Sequence, residues 1–253
     1  MTPTHINSLR PFRTLFVLTS HTALGETGNP TGFWFEELAA PWWALRDAGL
    51  YADIATVRGG DPVADPASLS DQGGRTPAVD RFLANAEATR VLAAAPGIAQ
   101  VDVSRYEAVF LVGGHGTMWD FPGSDVLKNL VEAIVQREGL VAAVCHGPSG
   151  LLRVKDAAGA PLVRGRKVCG FANSEEAAVG ATQVVPFLLE DQLRELGAIY
   201  QSGAPFEANV VRDGQLLTGQ NPQSSQSLGE QLVAAIQQRS GLPEKVHKAN
   251  RIG

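Results

Sequence analysis

Leu140-Val141-Ala142-Ala143-Val144-Cys145-His146-Gly147-Pro148 is the stretch on which the reading of this chain turns. Its first five residues are apolar without a break, too short for a helix and well suited to a strand buried on both faces. Strands of that kind belong to parallel sheets covered by helices on both sides. The apolar run stops abruptly at Cys145. Gly147 gives a tight turn room, and Pro148 fits a first helical turn, where its missing N–H costs little. A thiol in such a strand-to-helix turn stands at the carboxyl end of the sheet, where open α/β folds place their ligand sites. We therefore expect a nucleophile elbow at Cys145, with the dipole and free N–H groups of the turn favouring the thiolate. The residues alone also allow a buried core thiol beside an incidental histidine.

Outward from this stretch, the pattern predicts strands over residues 13–20, 51–57 and 106–112 and helices over 33–48, 78–90 and 124–138. The first of these helices should be irregular at Pro41, and Ser124 and Gly139 read as the start and stop of the third. Toward the C-terminus we expect a strand at 167–170, a helix over 185–196, a hairpin over 209–217 turning at Asp213-Gly214, and a closing helix over 224–238. Strands alternating with helices predict a three-layer α/β sandwich with a mostly parallel central sheet, flavodoxin-like in class. Residues 58–77 are rich in Gly, Pro, Asp and Ser, the composition of a lid-like excursion.

Composition narrows the function. The 253 residues are 44% hydrophobic and 19% charged, which suits one domain spanning 1–253 with a sizeable core. A net charge of -5 argues against partners that are nucleic acids or anionic membranes. No apolar run reaches the ~20 residues of a bilayer-spanning helix, and the N-terminus carries no signal-peptide block. Two cysteines make no disulfide framework, so a cytoplasmic location is expected.

Several residues could serve chemistry at the elbow. Gly113-Gly114-His115-Gly116 ends the preceding strand, where glycines free backbone N–H groups to face a developing oxyanion. His115 has no second histidine at ligand spacing, so no metal site is expected. Glu36 and Glu37 lie in an otherwise apolar stretch; whichever turns inward among Phe and Trp should have a raised pKa and could carry a proton. Glu175 and Glu176 form a second pair, for which an ordinary acidic helix start is the competing reading. Cys169, between Val168 and Gly170 with no His beside it, reads as a structural thiol.

Taken together, Val144 to Pro148, Gly113 to Pro122, Gly32 to Pro41, Gly170 to Glu176, Val185 to Asp191 and Leu217 to Pro222 resemble the PfpI/ThiJ superfamily. That superfamily has the class I glutamine amidotransferase-like fold, and the resemblance is to its branch of heat-shock-induced glyoxalase III proteins. The resemblance covers nearly the whole chain after the first dozen residues. It implies Cys145 as nucleophile, His146 as its partner, Glu176 as the acid of the triad and Glu37 as the acid near the thiol. It further implies an oxyanion or substrate-binding site from Gly114, His115 and His146. The implied activity is conversion of methylglyoxal or a related α-oxoaldehyde to a 2-hydroxy acid without glutathione, cofactor or metal, by a homodimer. A chaperone or holdase, or a cysteine-dependent amidase, peptidase, deglycase or hydratase, is the alternative. An exposed apolar patch around Phe33, Trp34, Trp42 and Trp43 would mark the holdase.

Overall fold

The computed structural model describes residues 12–71 and 74–240. Its centre is a six-stranded sheet made of β1 (Arg13–Leu18), β2 (Tyr51–Thr56), β3 (Ala108–Leu111), β4 (Leu140–Val144), β7 (Val210–Asp213) and β8 (Leu216–Gly219), in the order β2-β1-β3-β4-β8-β7. The first five strands in that order run parallel, and only the edge strand β7 is antiparallel, paired to β8 through the predicted hairpin. The start of that order is the doubly wound arrangement expected from alternating strands and helices. Two further strands, β5 (Lys167–Val168) and β6 (Ile199–Tyr200), form a separate two-stranded ribbon.

The strand period of two explains both layers. Phe16, Leu18, Phe110, Ala142 and Val144 point to one face, where they meet α1 (Phe35–Asp47), α2 (Pro77–Ala84), α3 (Ala86–Ala93) and α8 (Ser225–Ser240). Leu15, Val17, Val109, Leu111, Val141 and Ala143 point to the other, under α5 (Asp125–Gln136) and α7 (Leu189–Glu195). Every residue of β4 is buried, as its unbroken apolar run requires. Burying one such large apolar side chain stabilises the fold by roughly 1.5–3 kcal/mol.

Departures from the expected elements are local. The helix expected over 78–90 is two helices, because Asn85 adopts an extended backbone and its side chain accepts the Ala88 N–H, capping α3. The helix after Cys145 is a single tight 3₁₀ turn, Gly147–Leu151, and α7 starts later than the predicted 185. The short helix α4 (Thr117–Asp120) lies outside the expected elements, whereas α6 (Asn173–Ala178) carries Glu175 and Glu176 in its first turn, the acidic helix start that the pair allowed. Helix α1 continues through Pro41; the ring removes the N–H that would bond four residues back, to the Glu37 carbonyl. Phe33 and Trp42 are wholly buried, so the apolar patch that would mark a holdase is not exposed there.

Within 58–77, the segment before the mouth of the site is tied down. The Asp65 N–H donates to the Phe33 carbonyl at 2.8 Å, and the Thr31 hydroxyl donates to the Asp65 carboxylate at 2.8 Å. Asp65 then caps the short turn Pro66–Leu69. Among the described residues, no helix is long and apolar enough to cross a membrane.

Candidate active site

Strand β4 delivers Cys145 into a left-handed backbone conformation, φ +57. For a residue other than glycine that conformation costs roughly 1–3 kcal/mol and persists only where the surroundings enforce it. Here they do. The Cys145 N–H donates to the Gly219 carbonyl at the end of β8 at 2.9 Å, and its carbonyl accepts the Phe171 N–H at 2.8 Å. The turn is therefore clamped from both sides of its own backbone, with Cys145 4% exposed and lining a cavity of about 370 Å³. That volume lies at the small end of the range for small-molecule sites.

The loop after β3 passes directly beneath. A side chain at Gly113 would place its Cβ 2.5 Å from Glu37 Oε2 and 2.9 Å from Cys145 Cβ, so only glycine lets the carboxyl and the thiol approach. Gly114 has φ +102 and lies against the backbone of Gly32 to Trp34. The Thr117 hydroxyl spans the loop and the elbow, within reach of the Gly114 carbonyl at 2.9 Å and the His146 carbonyl at 3.1 Å.

Of the first acid pair, Glu37 faces inward and Glu36 outward. Glu37 is fully buried, and neither carboxyl oxygen has a hydrogen bond of ordinary geometry. Burial pushes its pKa well above the usual carboxylate range, although the neighbouring Cys145 thiol and Gly113 N–H pull it partly back. Glu36 instead accepts the Thr76 hydroxyl at the start of α2.

Both members of the second pair are buried in α6, with different partners. Glu176 bridges two imidazoles: Oε2 meets His146 Nε2 at 2.8 Å and Oε1 meets His115 Nε2 at 2.9 Å. Desolvation opposes the charge, but His146 and the His115 contact outweigh it, holding the Glu176 pKa at about 2. The ionised carboxylate accepts, so His146 carries its proton on Nε2. Its free Nδ1 faces the Cys145 Sγ at 3.3 Å. Burial, reinforced by His115, lowers the His146 pKa and keeps that ring neutral. Glu175 has no imidazole partner; it accepts from the Phe206 N–H, the Asn221 side chain and the Ala172 N–H.

The sequence-predicted residues Cys145, His146, Glu176, Glu37, Gly114 and His115 thus come together at one place. Two expectations change. The thiol pKa is raised well above its ordinary value, not lowered: burial comes first, then the charge of Glu37 and a hydrogen bond to it. The turn after Cys145 is too short to offset those effects, and the Gly114 N–H offsets them only in part. Second, metal-ligand types do cluster. His115, His146 and Glu176 bring one ligand atom each within 4.8 Å of one another, a grouping hidden by their separation in sequence. Both Nε2 atoms are engaged with Glu176 and His146 Nδ1 faces the thiol, so a cation there would displace these hydrogen bonds.

Sequence reasoning missed the walls of the cavity. Trp34, Phe171 and Phe206 line it, together with Ala67, Ser70 and Gly74 from the 58–77 segment. Phe206 is a lone aromatic in a loop without periodicity, which leaves no local signal. Cys169 has the structural role expected of it: its thiol donates to the Thr218 carbonyl at 3.1 Å, and burial raises its pKa to about 12.

Comparison with known proteins gives this geometry a context. The sequence profile of the DJ-1/PfpI family matches residues 31–235. A probable glutathione-independent glyoxalase of Schizosaccharomyces pombe, hsp3103, is 31% identical over 245 residues, spanning 83% of this chain and 92% of that protein. The crystal structure of glyoxalase III from Candida albicans superposes with a TM-score of 0.83 at 27% identity, over 88% of this chain and 97% of that one. Rapid Encystment Protein 24 KDa of Francisella tularensis superposes with a TM-score of 0.85 at 36% identity, over 89% and 99%.

Proposed function

Since this chain belongs to the DJ-1/PfpI family, we propose that it is a glutathione-independent glyoxalase, converting methylglyoxal or a related α-oxoaldehyde to a 2-hydroxy acid. The observation that carries this reading is Glu37: a wholly buried carboxyl with raised pKa and no hydrogen bond of ordinary geometry, set beside a thiol that lines a small cavity. Simple thiol hydrolysis needs one base, already present as His146. An internal hydrogen shift between adjacent carbons needs a second group that can take a proton and give it back.

The Cys145 thiol passes its proton to His146 Nδ1 as the sulfur adds to the aldehyde carbon. Glu176, ionised at neutral pH, orients the ring and stabilises the imidazolium that forms. The backbone N–H groups of Gly114 and His146 hold the hemithioacetal oxygen. Glu37 then removes the hydrogen of that carbon as a proton, giving an enediol, and returns it to the neighbouring carbon. The former aldehyde carbon is thereby oxidised to a thioester and the former ketone carbon reduced to an alcohol. Water releases the 2-hydroxy acid and regenerates the thiol. His115 holds the second oxygen of Glu176 and faces the cavity. The formal class is a hydro-lyase, and the homodimer implied by the family and the cytoplasmic location expected from the cysteine content belong to the same reading.

The test is lactate production from methylglyoxal without glutathione, comparing the unaltered protein with Cys145→Ala and Glu37→Gln. Turnover lost in both variants supports the thiol-plus-carboxyl enzyme. Full activity in Glu37→Gln would leave only a thiol addition chemistry, and no turnover in the folded parent protein would remove the glyoxalase reading.

A further inference from the structure

The loop between β6 and β7 is exposed over residues 201–208, yet three wholly buried polar side chains hold it in place. Gln220 accepts the Gly203 N–H at 2.7 Å, and Asn221 donates to the Glu207 carbonyl at 2.7 Å. Glu175 accepts the Phe206 N–H at 2.8 Å on the same oxygen that takes the Asn221 amide, while its other oxygen takes the Ala172 N–H at 2.9 Å. Burying three such groups is unfavourable unless their hydrogen bonds are satisfied, so a network this complete fixes one geometry. What it fixes is unusual. Phe206 has φ +58, a left-handed conformation that an aromatic residue rarely adopts, with the Glu175 carboxylate on its N–H. The residue is 40% exposed, lines the cavity containing Cys145 and packs edge-wise with Phe171 at 6.4 Å between ring centroids.

We propose that Phe206 is the specificity-determining residue that limits the size of the aldehyde substituent reaching Cys145, and that Glu175 is the positioning residue that aims it. The proposal rests on the glyoxalase reading for its substrate class. The aromatic rim admits an α-oxoaldehyde with a methyl-sized substituent and disfavours one with an aryl group. Glu175 acts at a distance from the chemistry, through the backbone of Phe206, while its neighbour Glu176 serves His146. The adjacent acids thus divide two tasks between the rim and the base of one cavity.

The experiment measures kcat/KM for methylglyoxal and phenylglyoxal, and in parallel the rates at which iodoacetamide and a bulky fluorescein iodoacetamide alkylate Cys145, followed by peptide mass spectrometry. Phe206→Ala is expected to raise the phenylglyoxal-to-methylglyoxal ratio by about tenfold or more, within the range that pocket size alone supplies. Glu175→Ala should move the ratio in the same direction by a smaller factor. Glu175→Gln keeps an acceptor oxygen for Phe206 and Asn221 and loses only the bond from the Ala172 N–H on the helix side, so the ratio should stay within about twofold of the parent. An equal change in Glu175→Gln and Glu175→Ala would assign the effect to charge near the thiol and overturn the positioning role. An unchanged ratio in Phe206→Ala would overturn the rim itself. If the parent protein turns over neither aldehyde, the glyoxalase reading fails while the alkylation ratio still decides the rim. Faster bulky labelling in Phe206→Ala supports it, and unchanged labelling rejects it.

Discussion

Cys145 and Cys169 are both free, both buried and both titrate above the ordinary thiol range. Burial therefore does not distinguish the proposed nucleophile from the structural thiol in this molecule. The difference lies in what each thiol faces and how the backbone presents it. Cys169 directs its proton to the Thr218 carbonyl, a group that can hold it but never take it away. Cys145 sits at a left-handed turn, between a neutral imidazole nitrogen and a wholly buried carboxyl with no hydrogen bond of ordinary geometry. Both of those neighbours can accept a proton. On the proposed mechanism, reactivity at Cys145 would come from an available proton acceptor and a clamped geometry, not from a thiol that is acidic at rest.

The sharpest way to break this comparison is to remove each sulfur in turn. Cys145→Ala should reduce methylglyoxal turnover to background, whereas Cys169→Ala should retain most of it; comparable losses in lactate assays would erase the distinction. Next in size is Glu37→Gln, with turnover expected to fall by about 10²- to 10⁴-fold, the usual worth of a positioned acid–base group. The same variant should make Cys145 easier to alkylate at neutral pH, because the charge and hydrogen bond of Glu37 both push the thiol pKa up. Catalysis and nucleophilicity would then move in opposite directions. A pH profile of iodoacetamide labelling whose midpoint stays put in Glu37→Gln would show that the two groups do not share a proton.

Thermal denaturation as a function of pH sharpens the comparison further. The Glu37 pKa is raised in the folded state above its unfolded value of about 4.5. Its protonated form therefore stabilises the fold fully below that unfolded value, and the contribution is lost as pH rises through the folded one. Relative to the parent, Glu37→Gln should gain in Tm as pH is raised from 4.5 toward neutrality. A constant gap across that window would contradict the buried, proton-holding carboxyl. The smallest effect belongs to the inert thiol: Cys169→Ala should cost about 1 kcal/mol of stability, the central value for point substitutions, read from denaturant unfolding.

Much of this arrangement was legible in the sequence because it is local. An apolar run that stops at Cys-His-Gly-Pro can only be a buried strand entering a turn, and the glycines after β3 announce a backbone that must pass close to something. The choice within each acidic pair was not local. Glu36 and Glu37 are adjacent on one helix, and only the packing of α1 against the sheet turns Glu37 inward. Glu175 and Glu176 are both buried, so burial could not separate them; what separates them is that one meets two imidazoles and the other a loop some thirty residues on. The family resemblance implied that His115 and His146 share one site, but the residues alone did not show their ring contact, since two loops from neighbouring parallel strands converge there. The direction of the thiol pKa was not legible because its largest cause is burial, which comes from tertiary packing around the turn, with the charge of Glu37 adding to it.

The clamp on Cys145 also has an order in time. The carbonyl that fixes its N–H belongs to Gly219, and β8, which carries that residue, lies between β4 and β7 although it is among the last strands to be made. A chain emerging from the ribosome would have β1 to β4 available early, but nothing to hold the turn at Cys145 until residues near 219 had left the exit tunnel and inserted beside β4. The left-handed turn at Cys145 would therefore be held only once Gly219 is in place, and products truncated before that residue would carry the thiol without its backbone clamp.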